Sequence, residues 1–87
     1  MNYELRFSRA ARAYLRRLGE EARRRIAERL EQIAAGPRGP HSKQLTGPGG
    51  NHAARVGVWR IIFTIEDANA AILVSAIGPR GQVYRDL

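Results

Sequence analysis

The sequence contains no cysteine among its 87 residues. Disulfide frameworks, thiolate zinc sites and cysteine nucleophiles are thereby excluded. Its longest apolar run, Ala70 to Ile77 with Ser75 inside it, is far too short to span a bilayer. The opening residues, Met1 to Arg6, alternate like a strand and hold no signal-peptide core, so a cytoplasmic protein without a membrane partner is expected. Acid is scarce in the second half: no Asp or Glu falls between Gly36 and Ile65, and after Asp67 the only one is Asp86. No serine triad or carboxylate pair can be built in such a stretch. His41 and His52 have neither ligand spacing nor carboxylate partners there, so no metal and no cofactor is expected. Each histidine reads as a loop or strand surface residue. Gly47-Pro48-Gly49-Gly50 lacks the following helix and lysine of a nucleotide-phosphate loop.

What is present is arginine. Lys plus Arg number 15 against 8 Asp plus Glu, a net charge of +7, and all the basic residues except Lys43 are arginine. Arginine's planar fork binds phosphate bidentately, where lysine acts as a point charge. From Ser8 to Gly36 the arginines are mixed with Glu20, Glu21, Glu28 and Glu31, as on a solvated helical face. Beyond Gly36, Arg38, Lys43, Arg55 and Arg60 have no acid near them in sequence. The uncompensated charge is therefore expected in the second half of the chain, as a basic surface with a definite location. Nucleic acid, an anionic membrane or an acidic protein are the partners such a surface suits.

Composition and length indicate one ordinary globular domain, spanning 1–87, since a second core would need roughly 100 more residues. Tyr3, Leu5 and Phe7 alternate with Glu4 and Arg6, the period of a half-buried strand. Ser8 offers an N-cap to a helix with Ala11, Tyr14, Leu15 and Leu18 on one stripe, ended by Gly19. A second helix follows with Ala22, Ile26, Leu30 and Ile33 in register, stopped by Gly36-Pro37. Gly36 to Asn51 reads as loop with at most a short extended piece at Lys43-Gln44-Leu45. His52 to Val56, Trp59 to Ile65 and Ala70 to Ile77 read as three antiparallel strands, and a Gly78-Pro79 turn leads into a short C-terminal tail. The expected architecture is α+β in two layers: an N-terminal strand and a helical hairpin, then the three strands.

Glycine first in the two-residue connection Gly57-Val58 is the signature of a type II′ hairpin. That turn sets Arg55 opposite Arg60, with Val56, Trp59, Ala54, Ile61, Phe63 and Ile65 on the face for the helices to cover. Arg55, Arg60, Ala53, Ile62 and Thr64 take the other face. Like charges directly opposite one another destabilise a sheet. A phosphate between the two guanidiniums would reverse that sign. The alternative is that both splay into water, where repulsion costs only about 1 kcal/mol or less.

Lys43-Gln44-Leu45, the string Arg55-Val56-Gly57-Val58-Trp59-Arg60-Ile61-Ile62-Phe63, then Ile77-Gly78-Pro79-Arg80 and Val83-Tyr84-Arg85 together resemble the RelE/ParE toxin superfamily. The resemblance covers nearly the whole chain and favours the RelE branch. It implies a type II toxin: a ribosome-dependent mRNA endonuclease, or mRNA interferase, that inhibits translation. It further implies an acidic cognate antitoxin and a toxin–antitoxin heterotetramer or larger assembly. Carried over by position, Arg60 resembles the phosphate-stabilising arginine, Arg80 the general acid or charge stabiliser, and Tyr84 the tyrosine placed at the 2′-hydroxyl or under a base. Lys43, Arg55 and Arg85 are the corresponding candidates for holding RNA. Where the family carries a first basic residue, two before Arg55, this chain has Ala53. The alternatives are a ParE-like inhibitor that binds DNA gyrase and cuts nothing, or a nuclease-dead relative that only binds ribosomes or nucleic acid.

Overall fold

The alternation after Tyr3 forms strand β1, Glu4–Phe7, with Leu5 and Phe7 packed on the core and Glu4 and Arg6 in water. It is seen in a computed structural model that describes residues 2–45 and 50–79. Ser8 caps helix α1, Arg9–Arg17: its Oγ accepts the Ala11 N–H at 3.1 Å and donates to the Ser75 carbonyl at 2.8 Å. One hydroxyl thus satisfies an orphan helix donor and ties the helix start to the sheet. Leu18, rather than Gly19, closes α1; the glycine is already the N-cap of helix α2, Glu20–Ala35. Glu20 and Glu21 lie in the first turn of α2, where the helix dipole favours negative charge. Ile26, Leu30, Ile33 and Ala34 are its buried side chains, and Gly36 closes it by donating to the Gln32 and Ile33 carbonyls.

The remaining chain forms β2, Ser42–Gln44, β3, His52–Val56, β4, Trp59–Glu66, a 3-10 turn at Asp67–Asn69, and β5, Ala71–Pro79. The sheet order is β1-β5-β4-β3-β2, with β1 parallel to β5 and every other pair antiparallel. The three expected strands are all there. The short extended piece at Lys43 becomes an additional edge strand, so the sheet has five strands. Gly78-Pro79 is not a turn: Gly78 pairs with Arg60 and Pro79 with Trp59, continuing β5 to its end. A proline is tolerated there because at a strand's last position its missing N–H removes little from the ladder.

Both helices pack on one face of the sheet. The core joins Ala11, Ile26, Leu30 and Ile33 of the helices to Ala54, Val56, Ile61, Phe63, Ile72, Val74 and Ile77 of the strands, with Trp59 and Ile65 half-buried against it. That strand layer is the one the alternation predicts. Strict alternation along β5 would still send Ile77 away from Ile72 and Val74. A bulge prevents this: Phe63 pairs with Val74 but Ile62 with Ala76, leaving Ser75 as the extra residue. The hydroxyl and carbonyl of the extra residue are both bonded: Ser75 Oγ donates to the Ile62 carbonyl at 3.2 Å and the Ser75 carbonyl accepts from Ser8.

His52 departs from its expected place on the surface. It shares the helix-covered face with Ala54 and Val56, is 7% exposed, and stacks on its cross-strand partner Phe63 with ring centroids 5.4 Å apart. Burial, aided by the positive charge of Arg38, holds its imidazole below the ordinary pKa. The unfolded chain therefore binds the proton more readily than the folded one. The stability that neutral His52 contributes is full above its unfolded pKa of about 6.5 and is lost as pH falls through the folded value. The melting temperature should decline as pH is lowered from 7 to 5, and His52→Phe should flatten that decline. Identical slopes for the two proteins, measured by circular dichroism, would contradict the burial argument.

Candidate functional site

Gly57 has φ +56° and Val58 is not among the positive-φ residues, the pattern of a type II′ turn. Its register is the one read from the sequence: Val56 pairs with Trp59, Arg55 with Arg60, Ala54 with Ile61 and Ala53 with Ile62. The positive φ holds the position to glycine, while the nearest atom to an added Cβ, an Arg25 guanidinium nitrogen at 3.2 Å, ends a flexible side chain that can move aside. The local chemistry of the turn thus brings two arginines side by side on the sheet face away from the helices.

Neither has an acidic partner among the described residues, where the ion pairs are Arg6 with Glu4 and Glu66, Arg24 with Glu28, and Arg38 with Asp67. Arg55 is exposed, whereas Arg60 is half-buried and its Nη1 is buried without a hydrogen-bond acceptor. An unsatisfied buried donor costs about 1–3 kcal/mol, more when charged. An anion bridging the two guanidiniums would remove both that penalty and the repulsion. Arg55→Thr should accordingly leave stability unchanged or raise it by roughly 0.2–0.5 kcal/mol. A clear drop in melting temperature would instead make the arginine structural.

Beside the pair, Ala53 is 7% exposed and Ile62 fully buried, forming a small apolar patch with Leu45 and Ala76. Lys43 is the register partner of Ala53, on the same face. Cross-strand neighbours have Cβ atoms about 4.5–5.5 Å apart. The edge strand thus sets an ammonium next to the position where the resemblance expects a basic residue and finds alanine. Of the six sequence-derived site residues, Lys43, Arg55 and Arg60 share one face. Arg80, Tyr84 and Arg85 lie outside the described residues, which end at Pro79, paired with the neighbour of Arg60.

Two parts of the charge distribution differ from the sequence reading. Arg38 is not free: it forms a two-pronged bond to Asp67 at 2.9 and 3.0 Å, and the Tyr3 hydroxyl donates to the same carboxylate at 2.8 Å. Those bonds hold Asp67 below the ordinary carboxylate pKa, and the bond to Asp67 raises that of Tyr3. Uncompensated charge also extends into the first half, because the four helical glutamates all lie on α2 and none on α1. Arg9, Arg12 and Arg16 of α1 line a hollow of about 470 Å³ over Phe7 and Ala13.

Sequence reasoning missed Arg29 and His41. They are hydrogen-bonded to each other and, with Pro40, Arg55 and Gly57, line a groove of about 540 Å³ at the outer end of the hairpin. A signal for Arg29 existed: positions 25, 26, 32 and 33, its helical neighbours, hold Arg, Ile, Gln and Ile, with no acid.

Comparison with known proteins agrees with this architecture. The archaeal RelE–RelB complex from Pyrococcus horikoshii OT3 contains a chain that is 24% identical, with TM-score 0.81 over 94% of this chain and 99% of that one. A RelBE toxin–antitoxin complex from Mycobacterium tuberculosis gives 23% identity and TM-score 0.79 over 92% and 100%. The isolated E. coli RelE toxin gives 23% and 0.78 over 97% and 93%. A search of curated sequences returned no match. The fold is therefore that of the RelE toxins, an α+β layer of two helices on a mixed five-stranded sheet. The profile described as "ParE toxin of type II toxin-antitoxin system" matches residues 5–84, and the chain belongs to this toxin family of the RelE/ParE superfamily.

Proposed function

We propose that this toxin is a ribosome-dependent mRNA endonuclease whose substrate phosphodiester is held between Arg55 and Arg60. The observation that carries the reading is the buried Nη1 of Arg60, without an acceptor among the described residues, beside a second guanidinium that has no acidic partner among them. RNA cleavage of this kind needs no metal. The 2′-oxygen attacks the adjacent phosphorus and the 5′-oxygen leaves. One proton must be removed, another donated, and the phosphorane charge stabilised. Arg60 and Arg55 hold the equatorial oxygens, and Lys43 adds charge from the edge strand. Following the resemblance, Tyr84 acts at the 2′-hydroxyl and Arg80 at the leaving oxygen, while Arg85 steadies the RNA. A phenol is a weak base near neutrality unless neighbouring cations stabilise the phenolate, and a face of arginines suits that need.

The whole chain, 1–87, acts in this reading as one domain in the cytoplasm. Its regulator is an antitoxin with an acidic segment, in a heterotetramer or larger assembly. The similarity to RelE chains solved with their RelB antitoxins supports that partner. No described helix is long and apolar enough to cross a membrane. A second reading, a gyrase-directed toxin, is favoured by the ParE profile. Incubating the purified chain with programmed ribosomes and mapping mRNA ends separates the two. New mRNA ends that appear only with ribosomes present support the nuclease; intact mRNA together with inhibited gyrase supercoiling replaces it with the second reading.

A further inference from the structure

The groove at the outer end of the hairpin has its own chemistry. β2 pairs only with residues 52–54 of β3, so Arg55 lies past the end of its edge neighbour. Into that gap come His41, from just before β2, and Arg29, from α2. Arginine can only donate, so the His41 Nδ1 bonded to Arg29 is an acceptor. In the neutral ring the proton then sits on Nε2, which is left as a further donor. Guanidiniums from two elements and one imidazole thus converge, and no carboxylate among the described residues lines the groove. Glu28 lines the adjoining hollow with Arg25 and Arg29, but its carboxylate is taken by Arg24 at 2.9 Å. The groove, about 540 Å³, is shallow and open to solvent, so a bound group could continue from it along the surface. Arg55 belongs to both places: it faces Arg60 on one side and lines this groove on the other.

We propose that Arg29, His41 and Arg55 form a second phosphate subsite, which takes the nucleotide next to the one held at Arg55 and Arg60. The RNA backbone would then run across the hairpin and off its free edge, with Arg55 between consecutive phosphates. The inference rests on the reading of the hairpin face as an RNA site, and its test keeps the two apart. NMR titration of the purified chain with 2′-O-methyl oligonucleotides, which cannot be cleaved, compares a dinucleotide carrying one phosphodiester with a trinucleotide carrying two. The trinucleotide should bind wild type more tightly. Arg29→Gln should weaken it about tenfold and reduce its salt slope by about 0.7, the single-strand value for one phosphate contact. The dinucleotide should be nearly indifferent to that change.

His41→Gln should show the same pattern with a smaller loss. Inorganic phosphate alone should shift the His41 ring signals in wild type and leave those of Arg29→Gln in place. Equal losses for both oligonucleotides, or none for either, would overturn the proposal. Phosphate shifts at His41 without oligonucleotide binding would sustain the anion subsite and refute the RNA reading. An acidic peptide that moves His41 when phosphate does not would make the groove an antitoxin contact and overturn the subsite.

Discussion

Arg60→Ala is expected to slow mRNA cleavage on programmed ribosomes about a hundredfold, the scale on which one preorganised charge contact acts in a transition state. The structural reason is specific to this side chain. Arg55, its partner, is exposed and can be solvated, whereas the Arg60 Nη1 is buried and lacks an acceptor. Its donor has already lost its water, so forming a bond to a phosphate oxygen carries no further desolvation cost for that group. Truncation removes an unsatisfied donor and a like-charge contact along with some packing of the arginine stem. These contributions oppose one another, and the melting temperature should change little. Arg60→Lys should recover only part of the rate, because a point charge cannot reproduce the two-pronged geometry. A large fall in melting temperature with unchanged cleavage by the folded fraction would assign the arginine to the fold instead. Loss of cleavage in Arg80→Ala and Tyr84→Phe would extend the same test to the tail.

Phe63→Ala should lower stability by about 3–5 kcal/mol, the usual cost of emptying a buried aromatic site. Phe63 is fully buried on β4, the strand between β3 and β5, and is cross-strand to both His52 and Val74. A domain this size, at roughly 0.05–0.15 kcal/mol per residue, has a reserve of about 4–13 kcal/mol, so the loss is a large part of it. At about 4–8 °C per kcal/mol, thermal unfolding should shift down by at least roughly 12 °C. Phe63→Leu should retain most of the stability. It should also remove the ring stack on His52, and a partly reopened site would let that imidazole titrate closer to its ordinary value. A shift of only a few degrees in Phe63→Ala would show that the two layers repack around the gap.

The two variants probe opposite faces of β4, and the faces differ in how far the sequence specifies them. The Arg55–Arg60 juxtaposition follows from Gly57 and the two-residue period of strands. Both are local rules acting on neighbouring residues, so the turn type, register and core layer all follow from the chain itself. The Ser8 cap and the stripes of α1 and α2 are local in the same sense. The same period turns His52 to the face of Ala54 and Val56, and the helices covering that face bury it.

Other features depend on which distant segments become neighbours. β1 joins β5 in parallel across more than 60 residues, and the Ser75 bulge brings Ile77 back to the core by breaking the local alternation. Arg38 reaches Asp67, 29 positions away, which removes from the basic surface a charge that has no acid near it in sequence. Lys43 comes to stand against Ala53 only because a three-residue piece docks as an edge strand, and Arg29 meets His41 only because α2 crosses near the hairpin end. Periodicity and turn chemistry belong to adjacent residues, so the sequence by itself determined the two helices, the hairpin and the pair of opposed arginines. Partner choice between remote segments is settled by the packing free energy of the whole layer. Only the tertiary structure could therefore decide which cations are neutralised and which converge on one face.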